Sequence, residues 1–295
     1  MNFGKLLTAL VTPFNNNGTI NYQVAAHLIE HLLENGTDGF VINGTTGESP
    51  TLTAEEKVEF LQFVIKQVNH RVPVIAGTGS NNTQASIFMT QQAETLGADG
   101  VMLVTPYYNK PSQEGMFQHF RTIAQSTCLP VMLYNIPGRT VVKLDVDTIL
   151  RLAKVDNIVA IKEATGDLDA ISQVIAGTGD DFYIYSGDDD LLLPILSIGG
   201  HGAVSVTSHI AGDQMQDMIG AYNRGEIKHA TRIYHQLAPL VKALFVAPNP
   251  TAVKAALTLN GFNVGTVRLP LVPLNEVEYS IVKEALHMIK TKKVV

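Results

Sequence analysis

Residues 157–166 read NIVAIKEATG, and this stretch is the most informative one about the fold and the chemistry of the chain. A short run of apolar, mostly β-branched residues ends in Lys162, and Thr165-Gly166 then leads into a helical pattern. This composition predicts a buried strand with an amine at its C-terminal end. Burial lowers the pKa of a lysine and favours the neutral, nucleophilic amine, which can form a Schiff base with a carbonyl substrate. The other interpretation is a lysine whose charge stays in water, and this stretch alone slightly favours it.

Short apolar runs alternate with helical patterns through most of the chain. Eight such runs occur, at residues 6–11, 39–43, 72–76, 100–105, 130–135, 158–162, 182–186 and 202–207. The helical patterns between them cover residues 22–34, 54–69, 84–96, 113–126, 146–153, 168–176, 191–198 and 213–223. Continuous apolar strands that alternate with helices predict a parallel sheet covered on both faces. Eight units of this kind predict an α/β fold, a closed (β/α)₈ barrel of the TIM type.

The pattern changes after about residue 224. Residues 227–245, 251–259 and 276–289 have helical patterns with no strand between them. We therefore expect a catalytic barrel over residues 1–224 and a C-terminal helical domain of three helices over residues 225–295.

The composition of the 295-residue chain argues against several classes of protein. It contains 45% hydrophobic and 16% charged residues, as a folded globular protein does. With a net charge of −6 and no basic patch, nucleic acid and anionic membranes are not expected partners. No apolar run is long enough to span a membrane. The single Cys128 fits a reducing compartment, and we expect it to be buried as it enters a strand. Together these features predict a cytoplasmic protein.

Polar and aromatic residues follow several predicted strands. In a barrel of this type catalytic groups lie at the C-terminal ends of the strands or in the loops after them. The segments at those places are 43–49 (NGTTGES), 105–110 (TPYYNK), 134–140 (YNIPGRT), Lys162 and 186–188 (SGD). We expect them to meet on one rim.

Alternation along the strands places two of these residues together. If Ala160 and Lys162 point into the barrel, Met132 and Tyr134 of the preceding strand point inward beside them. The small side chain of Ala160 leaves room beneath the amine. Lys162 and Tyr134 are then a nucleophile and a proton-transfer group within reach of each other.

Two features of the rim suit carboxylates. Backbone N–H groups and hydroxyls of Gly44-Thr45-Thr46-Gly47 can hold one carboxylate, and the planar guanidinium of Arg139 can hold a second. Taken singly, each feature has an ordinary explanation. The threonines could belong to an ordinary turn, Tyr134 could be a buried phenol with a hydrogen-bond partner, and Arg139 could form a surface ion pair. Together they favour an active site for a keto acid.

Several of these segments resemble a known superfamily. Residues 44–49 (GTTGES), 134–137 (YNIP) and 161–166 (IKEATG) resemble the signatures of the dihydrodipicolinate synthase and N-acetylneuraminate lyase superfamily of class I aldolase barrels. The segments similar to its dihydrodipicolinate synthase branch are 105–120, Arg139, 161–166, 186–189 and 199–206. The resemblance extends from Leu10 to residues 269–271 and is more specific than any single motif.

The resemblance implies a reaction. Lys162 would condense with pyruvate, and the resulting enamine would attack the aldehyde of L-aspartate 4-semialdehyde. Ring closure would release 4-hydroxy-tetrahydrodipicolinate for lysine and diaminopimelate synthesis. The lysine chemistry needs no cofactor, and the sequence indicates no nicotinamide, phosphopyridoxal or metal site.

The resemblance also implies residue roles. Tyr134, Thr45 and Tyr108 would form a proton relay, with Tyr108 reaching into the site of a neighbouring subunit. A residue donated in this way requires an oligomer, and the implied assembly is a homotetramer of two tight dimers, with Tyr107 at the tight interface.

The remaining implied roles concern substrate binding. Thr45 and Thr46 would hold the pyruvate carboxylate and Arg139 the carboxylate of the semialdehyde. Gly187 and Val204 would contribute backbone groups near the pocket.

One departure from the branch concerns regulation. Members inhibited by lysine carry a histidine where this chain has Lys57 and a glutamate where it has Ala85. Without that carboxylate the amine of a lysine effector lacks its charged partner. We therefore expect weak or absent feedback inhibition, although Ser49, Asn81 and Tyr107 are present.

Other features have structural explanations. Asp188-Asp189-Asp190 is expected to satisfy the N-terminal amides of the next helix rather than to bind a metal. Lys242 and Lys254 are expected on solvated helix faces, and Glu163 is expected to point away from Lys162 and to make a structural contact.

Two other functions remain open from the sequence. The nearer is a different pyruvate-dependent aldolase, such as N-acetylneuraminate lyase or a keto-deoxy sugar acid aldolase; Arg139 and residues 161–166 argue against it. The farther is a non-enzymatic barrel that binds a keto acid, and the joint presence of Lys162, Tyr134 and Thr45 argues against that function.

Overall fold

The structure, a computed structural model, describes residues 2–292. Eight parallel strands pair in sequence order and close into a barrel. The strands are β1 (Leu6–Ala9), β2 (Gly39–Ile42), β3 (Val74–Gly77), β4 (Gly100–Val104), β5 (Val131–Asn135), β6 (Ile158–Glu163), β7 (Tyr183–Ser186) and β8 (Gly202–Ser205). The predicted (β/α)₈ barrel is confirmed, and each strand lies within its predicted apolar run or extends one residue beyond it.

Helices surround the barrel and follow it. They are α1 (Tyr22–Glu34), α2 (Ala54–Val68), α3 (Thr83–Leu96), α4 (Gln113–Ala124), α5 (Pro137–Thr140), α6 (Val146–Leu152), α7 (Leu168–Gly177), α8 (Leu192–Ser197), α9 (Ser208–Asn223), α10 (Ile227–Leu244), α11 (Thr251–Leu259) and α12 (Glu276–Lys292). Thr53 begins α2 in a capping box with Glu56, and Gly97 ends α3 at a φ of +86°, where glycine has no Cβ penalty. These local signals explain why the predicted ends of α2 and α3 agree with the observed ones to within one residue, whereas α9 begins at Ser208, before the predicted residue 213.

The inside of the barrel is filled by alternate side chains of the strands. Tyr134 of β5 pairs in register with Lys162 of β6, and Lys162 pairs with Tyr185 of β7, so the three lie in one layer. Met132, Tyr134 and Ala160 belong to the same buried interior cluster. The inward orientation expected from strand alternation is therefore correct.

The last three helices form the predicted C-terminal appendage. Helix α10 packs on α9 of the barrel and on α12, and α11 also contacts α9. The division into domains at residues 1–224 and 225–295 stays a prediction, and Met1 and residues 293–295 lie outside the described residues. Among residues 2–292, no helix is long and apolar enough to cross a membrane.

Two expectations about single residues are wrong. Lys254 is 2% exposed rather than solvated, because its amine is ion-paired with Glu48 inside the protein. Cys128 is exposed rather than buried, because β5 begins only at Val131 and Cys128 lies in the loop before it.

Candidate active site

Lys162 lies at the C-terminal end of β6 and points into the barrel, with 6% of its surface exposed. Burial lowers the pKa of its amine to about 8, while Asp189 and then Asp188 act in the opposite direction because their negative charges favour the ammonium ion. With a pKa of about 8, roughly a tenth of this amine is neutral and nucleophilic at pH 7, whereas a lysine in water is almost fully protonated there.

Tyr134 lies beside the amine on the neighbouring strand. The Nζ atom of Lys162 is 4.2 Å from the centre of the Tyr134 ring. Burial raises the pKa of the phenol well above its ordinary value, and a hydrogen-bonding interaction with the Thr45 side chain partly opposes that shift. The structure thus brings together three of the four residues that the sequence assigned to catalysis.

The turn after β2 forms one wall beside this cluster. Its backbone is closed by hydrogen bonds from the Glu48 N–H to the Thr45 carbonyl (3.0 Å) and from the Ser49 N–H to the Gly44 carbonyl (3.3 Å). Thr46 is buried, and its hydroxyl oxygen accepts a hydrogen bond of 2.9 Å from the side-chain amide of Asn249. Because the oxygen of Thr46 serves as acceptor here, its proton can be donated to an anion.

Arg139 lies on the short helix α5, which directly follows β5. Its positive charge lowers the pKa of both Lys162 and Tyr134, so the guanidinium acts on the same cluster. The side chain is exposed, and within residues 2–292 it makes no ion pair. It is therefore available to bind a carboxylate at the mouth of the barrel.

Gly187 and Val204 line the interior on the other side. A Cβ atom on Gly187 would lie 3.0 Å from Cε of Lys162 and 2.8 Å from Cβ of Ala164, so a larger residue would displace the lysine. Val204 of β8 is 1% exposed and belongs to the interior cluster.

Tyr108 does not join the buried cluster within one chain. Its side chain is 88% exposed, and its backbone has a φ of +74°, which is uncommon for a residue with a Cβ atom. Tyr107 beside it is 41% exposed. This loop presents two tyrosines outward.

The expected role of the aspartates after β7, which was to satisfy the N-terminal amides of the next helix, is wrong for Asp189. The Asp189 carboxylate accepts hydrogen bonds from the N–H groups of Val206 (3.1 Å) and Thr207 (2.7 Å), which lie before α9, rather than from its own helix. Asp188 and Asp189 also act electrostatically on Lys162. The sequence offers no local signal for this contact, because it depends on how β7 and β8 meet.

Glu163 faces away from Lys162, as expected. Its carboxylate accepts hydrogen bonds from Asn135 (3.1 Å) and Thr165 (3.1 Å), and burial raises its pKa to about 7. These contacts tie the end of β6 to β5 and so fix the strand that carries the nucleophile.

The described part of the chain contains no cluster of metal ligands. Among residues 2–292, no group of three or more His, Cys, Asp or Glu side chains is placed to hold a metal ion. The groups assembled around Lys162 are instead an amine, a phenol, hydroxyls and a guanidinium.

Comparison with known proteins places this arrangement in a family. Residues 2–289 match the dihydrodipicolinate synthetase family. The chain is 61% identical over 279 residues to the 4-hydroxy-tetrahydrodipicolinate synthase of Bacillus subtilis (strain 168), and the match covers 94% of this chain and 96% of that protein.

Solved structures agree over nearly the full length. A crystal structure of dihydrodipicolinate synthase from Bacillus anthracis is 53% identical, with a TM-score of 0.96 and coverage of 97% of this chain and 98% of that chain. The chloride-inhibited dihydrodipicolinate synthase from Acinetobacter baumannii, complexed with pyruvate, is 39% identical, with a TM-score of 0.95 and coverage of 98% and 99%. On the family match and these relatives, the chain belongs to the dihydrodipicolinate synthetase family.

Proposed function

We propose that this protein condenses pyruvate with L-aspartate 4-semialdehyde to give 4-hydroxy-tetrahydrodipicolinate, the first committed step of lysine and diaminopimelate synthesis. The observation that carries the proposal is the buried Lys162 amine, with its pKa lowered to about 8, set 4.2 Å from the Tyr134 ring inside the barrel. Relatives with the corresponding enzyme name cover almost the whole chain.

The reaction begins at the neutral Lys162 amine. Its lone pair attacks the ketone carbon of pyruvate, and loss of water leaves a protonated imine. Removal of a methyl proton moves the electron pair onto the former methyl carbon and gives an enamine, which attacks the aldehyde of the semialdehyde and forms the new carbon–carbon bond. The amino group of the second substrate then attacks the imine carbon, closes the ring and releases Lys162.

Proton transfers at these steps fall to the groups nearest the amine. Tyr134 is buried against Lys162 and interacts with Thr45, so the two hydroxyls provide a path toward the mouth of the barrel. A phenol with a raised pKa stays protonated and can donate to the departing water and to the newly formed alkoxide.

Tyr108 would complete this relay from a second subunit. The proposal is supported by its 88% exposure, because an outward tyrosine at the end of a loop can enter the site of a neighbouring chain. The assembly that we propose is a homotetramer of two tight dimers, with Tyr107 at the tight interface.

The two substrates carry carboxylates that need separate partners. Thr45 and Thr46 would hold the pyruvate carboxylate through the turn after β2, where the Thr46 proton is available for donation. Arg139 would hold the carboxylate of the semialdehyde through its free guanidinium. Gly187 and Val204 would form part of the pocket wall through their backbone groups.

The test is a steady-state assay with pyruvate and L-aspartate 4-semialdehyde, in which a reductase that consumes the product reports turnover. We expect turnover only with both substrates present, and we expect Arg139→Ala to raise the KM for the semialdehyde far more than the KM for pyruvate. Cleavage of N-acetylneuraminate or a keto-deoxy sugar acid without any turnover of the semialdehyde would contradict the proposal and assign a sibling aldolase activity.

A further inference from the structure

A buried ion pair connects the C-terminal helices with the turn after β2. Lys254 of α11 places its Nζ atom 2.5 Å from Oε1 of Glu48, and both side chains are almost fully buried, at 2% and 1% exposure. The amine also donates a hydrogen bond of 3.0 Å to the Thr266 carbonyl and lies 4.1 Å from the centre of the Phe14 ring. The lysine head is therefore surrounded by defined partners on several sides.

Glu48 is part of the turn that carries Thr45 and Thr46. Its N–H closes the turn on the Thr45 carbonyl at 3.0 Å, and its backbone has a φ of +57°, a left-handed conformation that costs energy for a residue with a Cβ atom. The second carboxylate oxygen of Glu48 accepts a hydrogen bond of 2.8 Å from the Arg268 N–H. Both oxygens are thus fixed by residues from the end of the chain, and they hold the turn in this unfavourable backbone conformation.

A second contact reaches the same turn from the same segment. Asn249, just before α11, donates a hydrogen bond of 2.9 Å to the Thr46 hydroxyl oxygen and is itself buried. This bond fixes the direction in which Thr46 can donate its own proton. Residues 249–254 therefore contact the turn at two positions, Thr46 and Glu48.

The free-energy cost of burying charges indicates that the Lys254–Glu48 pair fixes the position of the turn rather than adding stability. The cost of removing two charges from water offsets most of their attraction, so an apolar pair of similar volume often stabilises a fold as well or better. A buried carboxylate held at one oxygen by an ion pair and at the other by a hydrogen bond, by contrast, specifies one position of the backbone that carries it.

We propose that Glu48, Lys254 and Asn249 are positioning residues for pyruvate, which hold the Thr45–Thr46 turn where it binds the pyruvate carboxylate. This inference rests on the proposed function of the turn. It makes the C-terminal helical segment a part of the pyruvate site, although none of its residues touches the reacting atoms.

The test compares Lys254→Met and Glu48→Gln with the unchanged full-length protein. Because small displacements of a binding group are costly, we expect the KM for pyruvate to rise roughly 10- to 100-fold. The KM for the semialdehyde should change less than about twofold, since Arg139 lies outside the network. The double variant should be no worse than the poorer single variant, because both changes break one interaction.

A matched control separates positioning from stability. Val253→Ala removes two methyl groups from a fully buried neighbour on α11. It should lower the Tm and leave the KM for pyruvate unchanged. Asn249→Ala supplies a second test that leaves no buried charge unpaired, and it should raise the KM for pyruvate even if the charge variants do not fold.

The outcomes distinguish this inference from the proposed function. The inference would be overturned if Lys254→Met and Glu48→Gln lowered the Tm, as Val253→Ala does, and left the KM for pyruvate unchanged. The network would then have only a structural role. If Asn249→Ala also left that KM unchanged, the same conclusion would hold. Failure of the unchanged protein to turn over pyruvate with the semialdehyde would instead remove the proposed function, and the inference with it.

Discussion

The Lys162 amine lies 4.2 Å from the centre of the Tyr134 ring, on neighbouring strands whose register places the two residues side by side. The relationship follows from the parallel pairing of β5 with β6, and burial shifts the two pKa values in opposite directions. The lysine becomes a better nucleophile, and the phenol stays a proton donor. Burial in the same site thus assigns the nucleophilic role to Lys162 and the proton-donor role to Tyr134.

Tyr134→Phe tests the role of the phenol. The change keeps the ring that packs in the barrel and removes only the hydroxyl, so we expect a folded protein whose kcat falls about 10²- to 10⁴-fold. Steady-state kinetics and circular dichroism measure the two effects. A kcat within about threefold of the unchanged protein would show that protons move by another path.

Gly187→Ala tests how closely the lysine is packed. The new Cβ would meet Cε of Lys162 at 3.0 Å and the Glu163 carbonyl at 3.0 Å, so the amine must move. We expect formation of the pyruvate adduct to slow roughly 10- to 100-fold, measured by the rate of borohydride trapping. Gly138→Ala is a matched control, because a Cβ there meets nothing within 4 Å. Equal rates for both variants would contradict the packing argument.

The rate of adduct formation should follow the neutral fraction of Lys162. As the pH rises through the pKa of about 8, the ammonium loses its proton, so the rate should increase below pH 8 and level off above it. Asp189→Asn removes a charge that raises this pKa, and it should shift the midpoint to lower pH. Asp190→Asn, whose charge is not among the causes of the shift, should leave the midpoint in place. A midpoint near that of a lysine in water, roughly 10, would show that burial does not tune the amine.

The residues at positions 57 and 85 predict weak feedback inhibition by lysine. Lys57 is half-buried, with its pKa lowered by burial, and Ala85 is exposed at the start of α3. A cationic effector would meet a lysine and a methyl group at the two positions where the resemblance implies a histidine and a glutamate in lysine-inhibited members. We expect millimolar L-lysine to leave turnover nearly unchanged, and a Lys57→His/Ala85→Glu double variant to gain sensitivity. Strong inhibition of the unchanged protein would show that the effector binds without that carboxylate.

The sequence predicted those features that depend on local periodicity. The alternation of apolar residues along β5 and β6 was enough to place Tyr134 and Lys162 on the same inner face. The polar segments after five of the eight strands were enough to locate the rim, since parallel strands end on one side of a barrel.

Features that depend on distant contacts were not predicted. Lys254 lies in a helix that is apolar on most of its surface, and its partner Glu48 belongs to a loop near the other end of the chain. Asp189 likewise bonds to the segment after β8 instead of to its own helix. Local patterns carry no information about such pairs, because they form only when the barrel closes and the C-terminal helices dock.

The most direct test of the account is to incubate the protein with pyruvate and borohydride, and to locate the adduct by peptide mass spectrometry. Lys254 is an internal control, because its pKa is also lowered to about 8 by burial while Glu48 holds its amine. We predict one reduced pyruvate on Lys162, none on Lys254, and no adduct in a Lys162→Arg variant. An adduct on another lysine, or none at all under conditions where pyruvate binding is measured independently, would contradict the assignment of Lys162 as the nucleophile.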